Sequence, residues 1–335
     1  MKYLISIFLL IVTLSCEKDN NLQHSGNKGG YYWRVDTTDM SGTTIRETFP
    51  VITQVNYITP SASELPDASP VMVTKKGGQV FVYPFAYMTI EVINEAHNSR
   101  YFVANYCPIT RTSMVWDPVI NDTVLTFAAS GVLYKENLVL YDTESRRLWS
   151  QMLIKKIYGD RNQTQPRVLQ SFETKMSVIR SYFPNARVYN GEFNSLQNEG
   201  LGKNLKDNDP DDGSNNPSEL YTPGEKVYGI ILSGKILTKS YNDMSSGLSV
   251  EKQDGIVLVS DKSRSFATSF YDDQLNLQIV EKQFPTILID KNGRKYNVFG
   301  EPVNLSGVSL EAPHAYWALW WVWEEFYDKF NKIDE

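Results

Sequence analysis

The feature that most limits what this chain can fold into is a succession of short apolar runs, each cut off by turn-forming residues. Residues 71–74 lead into Lys75-Lys76-Gly77-Gly78 and then into 79–83, which reads as a β-hairpin with a Gly-Gly turn. Residues 101–106, 112–116, 124–129 and 138–141 are further runs of strand length. Asp142-Thr143-Glu144-Ser145 forms a polar turn before the run 146–152, and Pro84, Pro108 and Pro118 fall where a chain should change direction. Runs this short cannot be stacked helices, so the expected fold is mainly β, a β-rich α+β chain with a few helices. Two helix candidates stand out: 174–183, stopped by Pro184, and an aromatic stretch over 316–330.

The pattern then recurs. Residues 228–232, a Ser233-Gly234-Lys235 turn and 236–241 read as a second hairpin. Gly78, Phe81, Phe85 and Met88 match Gly234, Leu237, Tyr241 and Met244 at one constant spacing, and 141–148 resembles 289–296. The expectation is an internal duplication of β-hairpin and sheet units, each closed by an aromatic helix. The organisation expected is a signal peptide over 1–15, a tether over 16–30, a first β-rich repeat over 31–195, an acidic linker loop over 196–220, and a second, degenerate repeat over 221–335.

The first residues give an address. Met1-Lys2 precedes an apolar run over 3–14 that is too short to span a bilayer as a helix, which needs roughly 20 residues. It ends in Leu14-Ser15-Cys16, the layout of a bacterial lipoprotein signal with Cys16 as the acylated residue, although Thr13 stands where the strict pattern has leucine. The expected location is the outer membrane of a bacterial cell envelope, on its periplasmic or surface face, with the lipid anchor as the membrane partner. The polar segment after Cys16 holds His24 and reads as tether. With Cys16 lipidated, Cys107 is the remaining thiol, and no intrachain disulfide can form. A net charge of -6 argues against a nucleic-acid partner held by a broad basic field, and two cysteines with three histidines exclude most Cys/His metal sites.

Four patterns invite a chemical reading. Cys107 follows a run and precedes Pro108, with Arg111 four residues on, so a thiol of lowered pKa there would be a nucleophile or redox centre. The bland alternative is a small buried hydrophobe, and neither His97 nor His314 has a visible relation to it. Asp207-x-Asp209-x-Asp211 alternates carboxylates as a calcium loop does, but Asp212 replaces the expected glycine and Pro210 sits inside. A solvated acidic loop is the better reading, so calcium is the one cofactor considered and none is predicted. Gly229 to Gly234-Lys235 nearly spells a phosphate loop, yet it opens a strand, where no helix N-terminus can cradle a phosphate. Trp317 and Trp321 fall on the charged side of the aromatic stretch, and offer either a buried helix or an exposed pair that stacks on a ligand or protein partner. Asp142 and Asp290 read as turn residues.

Several of these segments carry a resemblance. Tyr83-Pro84, Val92-Ile93-Asn94-Glu95, Asn105-Tyr106-Cys107-Pro108, Leu125-Thr126-Phe127 with Ser130-Gly131, Asn137 to Asp142, and Leu148-Trp149-Ser150-Gln151 occur in the order of a bacterial family called domain of unknown function 3179 (DUF 3179). The resemblance covers about 71–160 best, and Trp320-Trp321-Val322-Trp323-Glu324-Glu325-Phe326 is similar to the family's closing motif. It implies no established activity. Two departures stand out: Thr110 occupies the second cysteine of the family's Cys-Pro-x-Cys, and Ile90 stands where members often carry histidine. These losses favour a non-catalytic binding or assembly module on the envelope over the alternative, a thiol-dependent redox enzyme or metal-binding protein centred on Cys107.

Overall fold

Gly78 and Gly234 both sit at positive φ, +81° and +84°, where only glycine turns without strain, and each closes a hairpin. In the computed structural model, which describes residues 31–42, 49–88, 92–97, 100–191, 220–272, 274–304 and 306–333, the first hairpin pairs Pro70–Lys76 with Gln79–Pro84. The second pairs Lys226–Leu232 with Lys235–Ser240. Each is widened in the same way. Ser171–Lys175 lies antiparallel to the first strand, the helix Met176–Tyr182 crosses over, and Arg187–Tyr189 returns parallel to the second strand. In the second half, His314–Leu319, the helix Trp320–Phe326 and Phe330–Lys332 make the same moves. The registers agree as well: Thr174 faces Val71 as Ala318 faces Val227, and Val188 faces Val82 as Lys332 faces Thr238.

The segments between each hairpin and its return are antiparallel meanders. Val92–His97, Arg100–Cys107 and Thr112–Asp117 in the first half have Ser249–Gln253, Ile256–Asp261 and Phe266–Tyr271 as counterparts. Further meanders follow, Phe127–Tyr134, Asn137–Asp142, Leu148–Ser150 and Lys155–Gly159 in the first half, and Gln278–Ile279, Thr286–Ile289 and Lys295–Asn297 in the second. The chain is thus mainly β, with two α-helices among the described residues.

Strand alternation decides where the core forms. Successive side chains point to opposite faces, so each hairpin sheet has two apolar faces to bury. Met72, Phe81 and Tyr83 pack on Phe102, Ala104 and Val115 of their own half. Val71, Val73 and Val82 turn the other way, and with Phe172, Met176 and Ile179 they pack on Val257, Phe266, Phe270 and Tyr296 of the second half. The second hairpin reciprocates. Tyr228, Ile230 and Trp317 pack on Leu258 and Ala267 of their own half, while Val227, Ile236, Tyr316, Trp320 and Trp323 pack on Val103, Met114, Trp116 and Trp149 of the first. The strands His314–Leu319 and Thr112–Asp117 touch, and so do Ser171–Lys175 and Phe266–Tyr271. Neither half could bury its hairpin alone, so the boundaries expected at 31–195 and 221–335 divide the sequence without dividing the core.

A polar tie also crosses the halves. Ser113 Oγ donates to Glu173 Oε1 at 2.8 Å, and Lys226 Nζ pairs with Glu173 Oε2 while lying 5.2 Å from the centre of the Trp317 ring.

The aromatic stretch expected as one helix over 316–330 is split. Its first residues complete a strand, because Lys226–Leu232 presents a free edge that pairs from Lys226 with Leu319 through Ile231 with His314. Helix begins only at Trp320. The helix expected over 174–183 likewise starts later, at Met176, after the strand Ser171–Lys175. The expected linker loop 196–220 and the tether lie outside the described residues, apart from Leu220.

Candidate functional site

Cys107 ends a strand whose last pair is Cys107 with Thr112, and the turn between them passes through Arg111 at φ +53°. Around it the fold gathers polar side chains from its own hairpin and from two distant segments. Gln151 Nε2 donates to Asn105 Oδ1 at 2.8 Å and to the Thr112 carbonyl at 3.1 Å. Asn137 Nδ2 donates to Gln151 Oε1 and to Thr110 Oγ1, both at 2.9 Å, and Asn137 Oδ1 accepts from the Met152 amide at 3.1 Å. Asn105, Thr110, Thr112, Asn137 and Gln151 are all at most 1% exposed. Burial of so many amides is tolerable only because they satisfy one another.

The thiol itself is 1% exposed and unpaired with any other sulfur. Burial pushes its pKa up. Hydrogen bonds from the Thr110 hydroxyl and from the Thr110, Leu138 and Ile109 amides pull the other way without cancelling it. Burial is also what raises the Tyr106 phenol beside it. Arg111 is exposed on the turn. His314 is half-buried in its strand, and burial lowers its pKa. The groups that act on the sulfur are therefore a hydroxyl and backbone amides, none of which can take its proton. A thiol held protonated without a base is a poor nucleophile.

The second half supplies a comparison. Asp261 pairs with Phe266 across a turn that passes through Ser265 at φ +52°, the place Cys107 holds in the first half. Its carboxylate is fully buried and accepts from the Gly247 amide at 3.2 Å, the Arg264 amide at 3.3 Å and the Ser263 hydroxyl at 2.6 Å. Both turns surround an electron-rich atom with donors. In one it is a charged cap paired with Arg264, and in the other a neutral thiol.

The other residues singled out in the sequence scatter. Trp317 is in a strand, 3% exposed and packed on Tyr228, so it cannot form an exposed pair with Trp321, which is half-buried on the helix. The helical wheel misassigned it because the strand turns residue 317 to the face opposite Tyr316. Cys16 and the carboxylates Asp207, Asp209 and Asp211 lie outside the described residues, as does Ile90. Among the described residues no group of carboxylates, cysteines and histidines could hold a metal ion. Asp142 and Asp290 do serve turns. Asp142 accepts from the Ser145 amide and from Trp149 Nε1 at 3.0 Å, and Asp290 accepts from the Asn292 and Arg294 amides and from the Tyr296 hydroxyl at 3.1 Å. Gly229 and Lys235 lie in paired strands, with no helix to hold a phosphate.

Asn137 and Gln151 were legible only as parts of a motif. Nothing in their spacing shows that they meet Thr110 and Asn105.

Cys107→Ala should cost about 1–3 kcal/mol of stability at neutral pH, through lost packing and a lost acceptor. The sign of the pH effect follows from the raised thiol pKa. As pH climbs above the ordinary thiol range of about 8–9, the unfolded chain loses the proton first and wild-type stability falls. The alanine variant lacks this slope, and denaturant melts of both proteins across that range check it.

Fold and site together define a β-rich protein of two interlocked, similarly connected halves, with a closed amide–thiol cluster built where its sequence motifs converge. The chain belongs to the family described as Protein of unknown function (DUF3179), whose match spans residues 46–330. No curated protein and no solved structure matches it.

Proposed function

We propose that the protein is a cell-envelope lipoprotein acting as a non-catalytic binding or assembly module at a membrane surface. The observation that carries the non-catalytic part is the closed environment of Cys107: a fully buried thiol, raised in pKa, in contact with a hydroxyl and amides and with no base among the described residues. Loss of the second cysteine at Thr110 supports the same reading, since a thiol–hydroxyl pair cannot cycle through a disulfide. The envelope location rests on the layout of residues 1–16, in which a short apolar run ends at Cys16.

The anchor is tested separately from the site. Cys16→Ala should leave the protein unprocessed, or move it from the membrane to the soluble fraction, because acyl chains contribute roughly 0.8 kcal/mol per buried CH₂. Normal processing with membrane recovery at the wild-type level would show that another feature holds the protein there.

A further inference from the structure

A cavity lined by cationic side chains lies away from Cys107. Tyr32–Trp33 pairs with Lys155–Gly159 at one edge of the long meander, and the Arg34 amide donates to the Ile157 carbonyl at 2.8 Å. The chain beyond Gly159 folds back, where the Lys156 amide meets the Thr164 carbonyl. Between them is a cavity of about 520 Å³ lined by Arg34, Lys155, Lys156, Gln163, Thr164 and Gln165.

Its charge is not balanced from within. Asp160 is already engaged by Lys156 at 2.5 Å and by Arg147 at 2.5 Å. Arg34 reaches only the Asp160 backbone carbonyl, through Nη2, and its buried Nη1 meets no acceptor among the described residues. Lys155 is exposed and has no ion-pair partner among them. The lining thus carries three cations and no carboxylate, and the Asp160 carboxylate that meets Lys156 is shared with Arg147. Gathering like charges at one place, one of them with a buried unpaired guanidinium nitrogen, has an electrostatic cost that a bound anion relieves. The remaining wall is neutral: Gln163 and Gln165 offer both donors and acceptors and Thr164 a hydroxyl, the groups that match alcohols. The volume falls within the range of about 300–1,000 Å³ usual for small-molecule sites.

We propose that this cavity binds a small polyhydroxylated organic anion, a phosphate or carboxylate carried on a sugar- or glycerol-sized body, with Arg34 and Lys155 meeting the charge. The proposal supplies a ligand class for the binding reading and rests on it. Thiol labelling of Cys107 reads the parent claim without this titration, so the two fail separately.

The test is calorimetric titration of the full chain, in detergent at low salt, with glucose 6-phosphate, glucuronate, glycerophosphoglycerol (a deacylated lipid headgroup), inorganic phosphate and glucose. At least one organic anion should bind, glucose should not, and added salt should weaken binding. The organic anion that binds tightest tells a free sugar acid from a lipid headgroup. Arg34→Gln and Lys155→Gln should each weaken binding about tenfold or more, while Lys291→Gln, in an exposed turn of the other half, should not. Lys155 is exposed, so its variant keeps the test valid if Arg34→Gln fails to fold. The proposal is overturned if no organic anion binds, if the two variants bind as wild type does, or if inorganic phosphate binds as tightly as every organic anion.

Discussion

Gly229→Val should destabilise the protein by about 3 kcal/mol or more, at or beyond the upper end of ordinary overpacking, and the double variant with Trp323→Ile should lose less than the two single losses added together. Gly229 sits in the second hairpin with the Trp323 ring against it, and a Cβ there would come within 2.3 Å of Trp323 Cζ2. The ring has nowhere to go. It is fully buried, stacks on Tyr316 at 4.7 Å between centroids, and donates through Nε1 to the Val227 carbonyl at 3.2 Å. In the first half the equivalent places are Val73, which holds the same position relative to the Gly77-Gly78 turn, and Ile179, which holds the same position in the return helix. Both belong to one core cluster. The two halves therefore fill one site in two ways, a medium pair in the first and a glycine with a tryptophan in the second. Trp323→Ile alone leaves a cavity and costs about 3 kcal/mol. The double variant should be less damaged than the sum of the singles by about 1–3 kcal/mol, the coupling expected of residues in contact. Additive losses in equilibrium denaturation would mean that Gly229 and Trp323 do not share one packing site.

Gln151→Leu should have an effect of similar size, about 3–5 kcal/mol, for a different reason. The leucine fills the space but leaves Asn105 Oδ1 and the Thr112 carbonyl without their donor, and removes one of the two acceptors of Asn137 Nδ2. Each orphaned buried group costs about 1–3 kcal/mol. Gln151→Glu removes the donor as well and adds a buried charge, so it should be worse still. Chemical denaturation with a matched surface variant as control measures both. A loss below about 1 kcal/mol for Gln151→Leu would mean that the amide cluster is not the closed network described above.

Which parts of this were legible in the sequence follows from how local each signal is. The two hairpins could be read because Gly77-Gly78 and Ser233-Gly234 encode their turns within a few residues. The order of elements that follows each hairpin could be matched from the Asp142 and Asp290 turns. Trp317 could not be placed, because what makes 314–319 a strand is a partner almost ninety residues earlier, and the 3- and 4-residue spacing of Tyr316, Trp320 and Trp323 imitates a helix. Cys107 was visible as a motif. Its surroundings were not, since Asn137 and Gln151 reach Thr110 and Asn105 only through long-range strand pairing. The cationic cavity was hidden for the same reason: Arg34 is brought to Lys155 by the pairing of strands more than a hundred residues apart.

The central claim, that Cys107 belongs to a sealed structural cluster and not to a working site, is tested most directly by the rate at which an aromatic disulfide reagent labels it at neutral pH. The chain carries Cys107 as its one thiol once Cys16 is acylated or replaced by alanine. Labelling of the native protein should be slower than that of the denaturant-unfolded chain by a factor of about a thousand or more, and should accelerate with denaturant in step with global unfolding. Native labelling within about tenfold of the unfolded rate, insensitive to denaturant below the unfolding transition, would show an accessible, ionised thiol and would contradict the account.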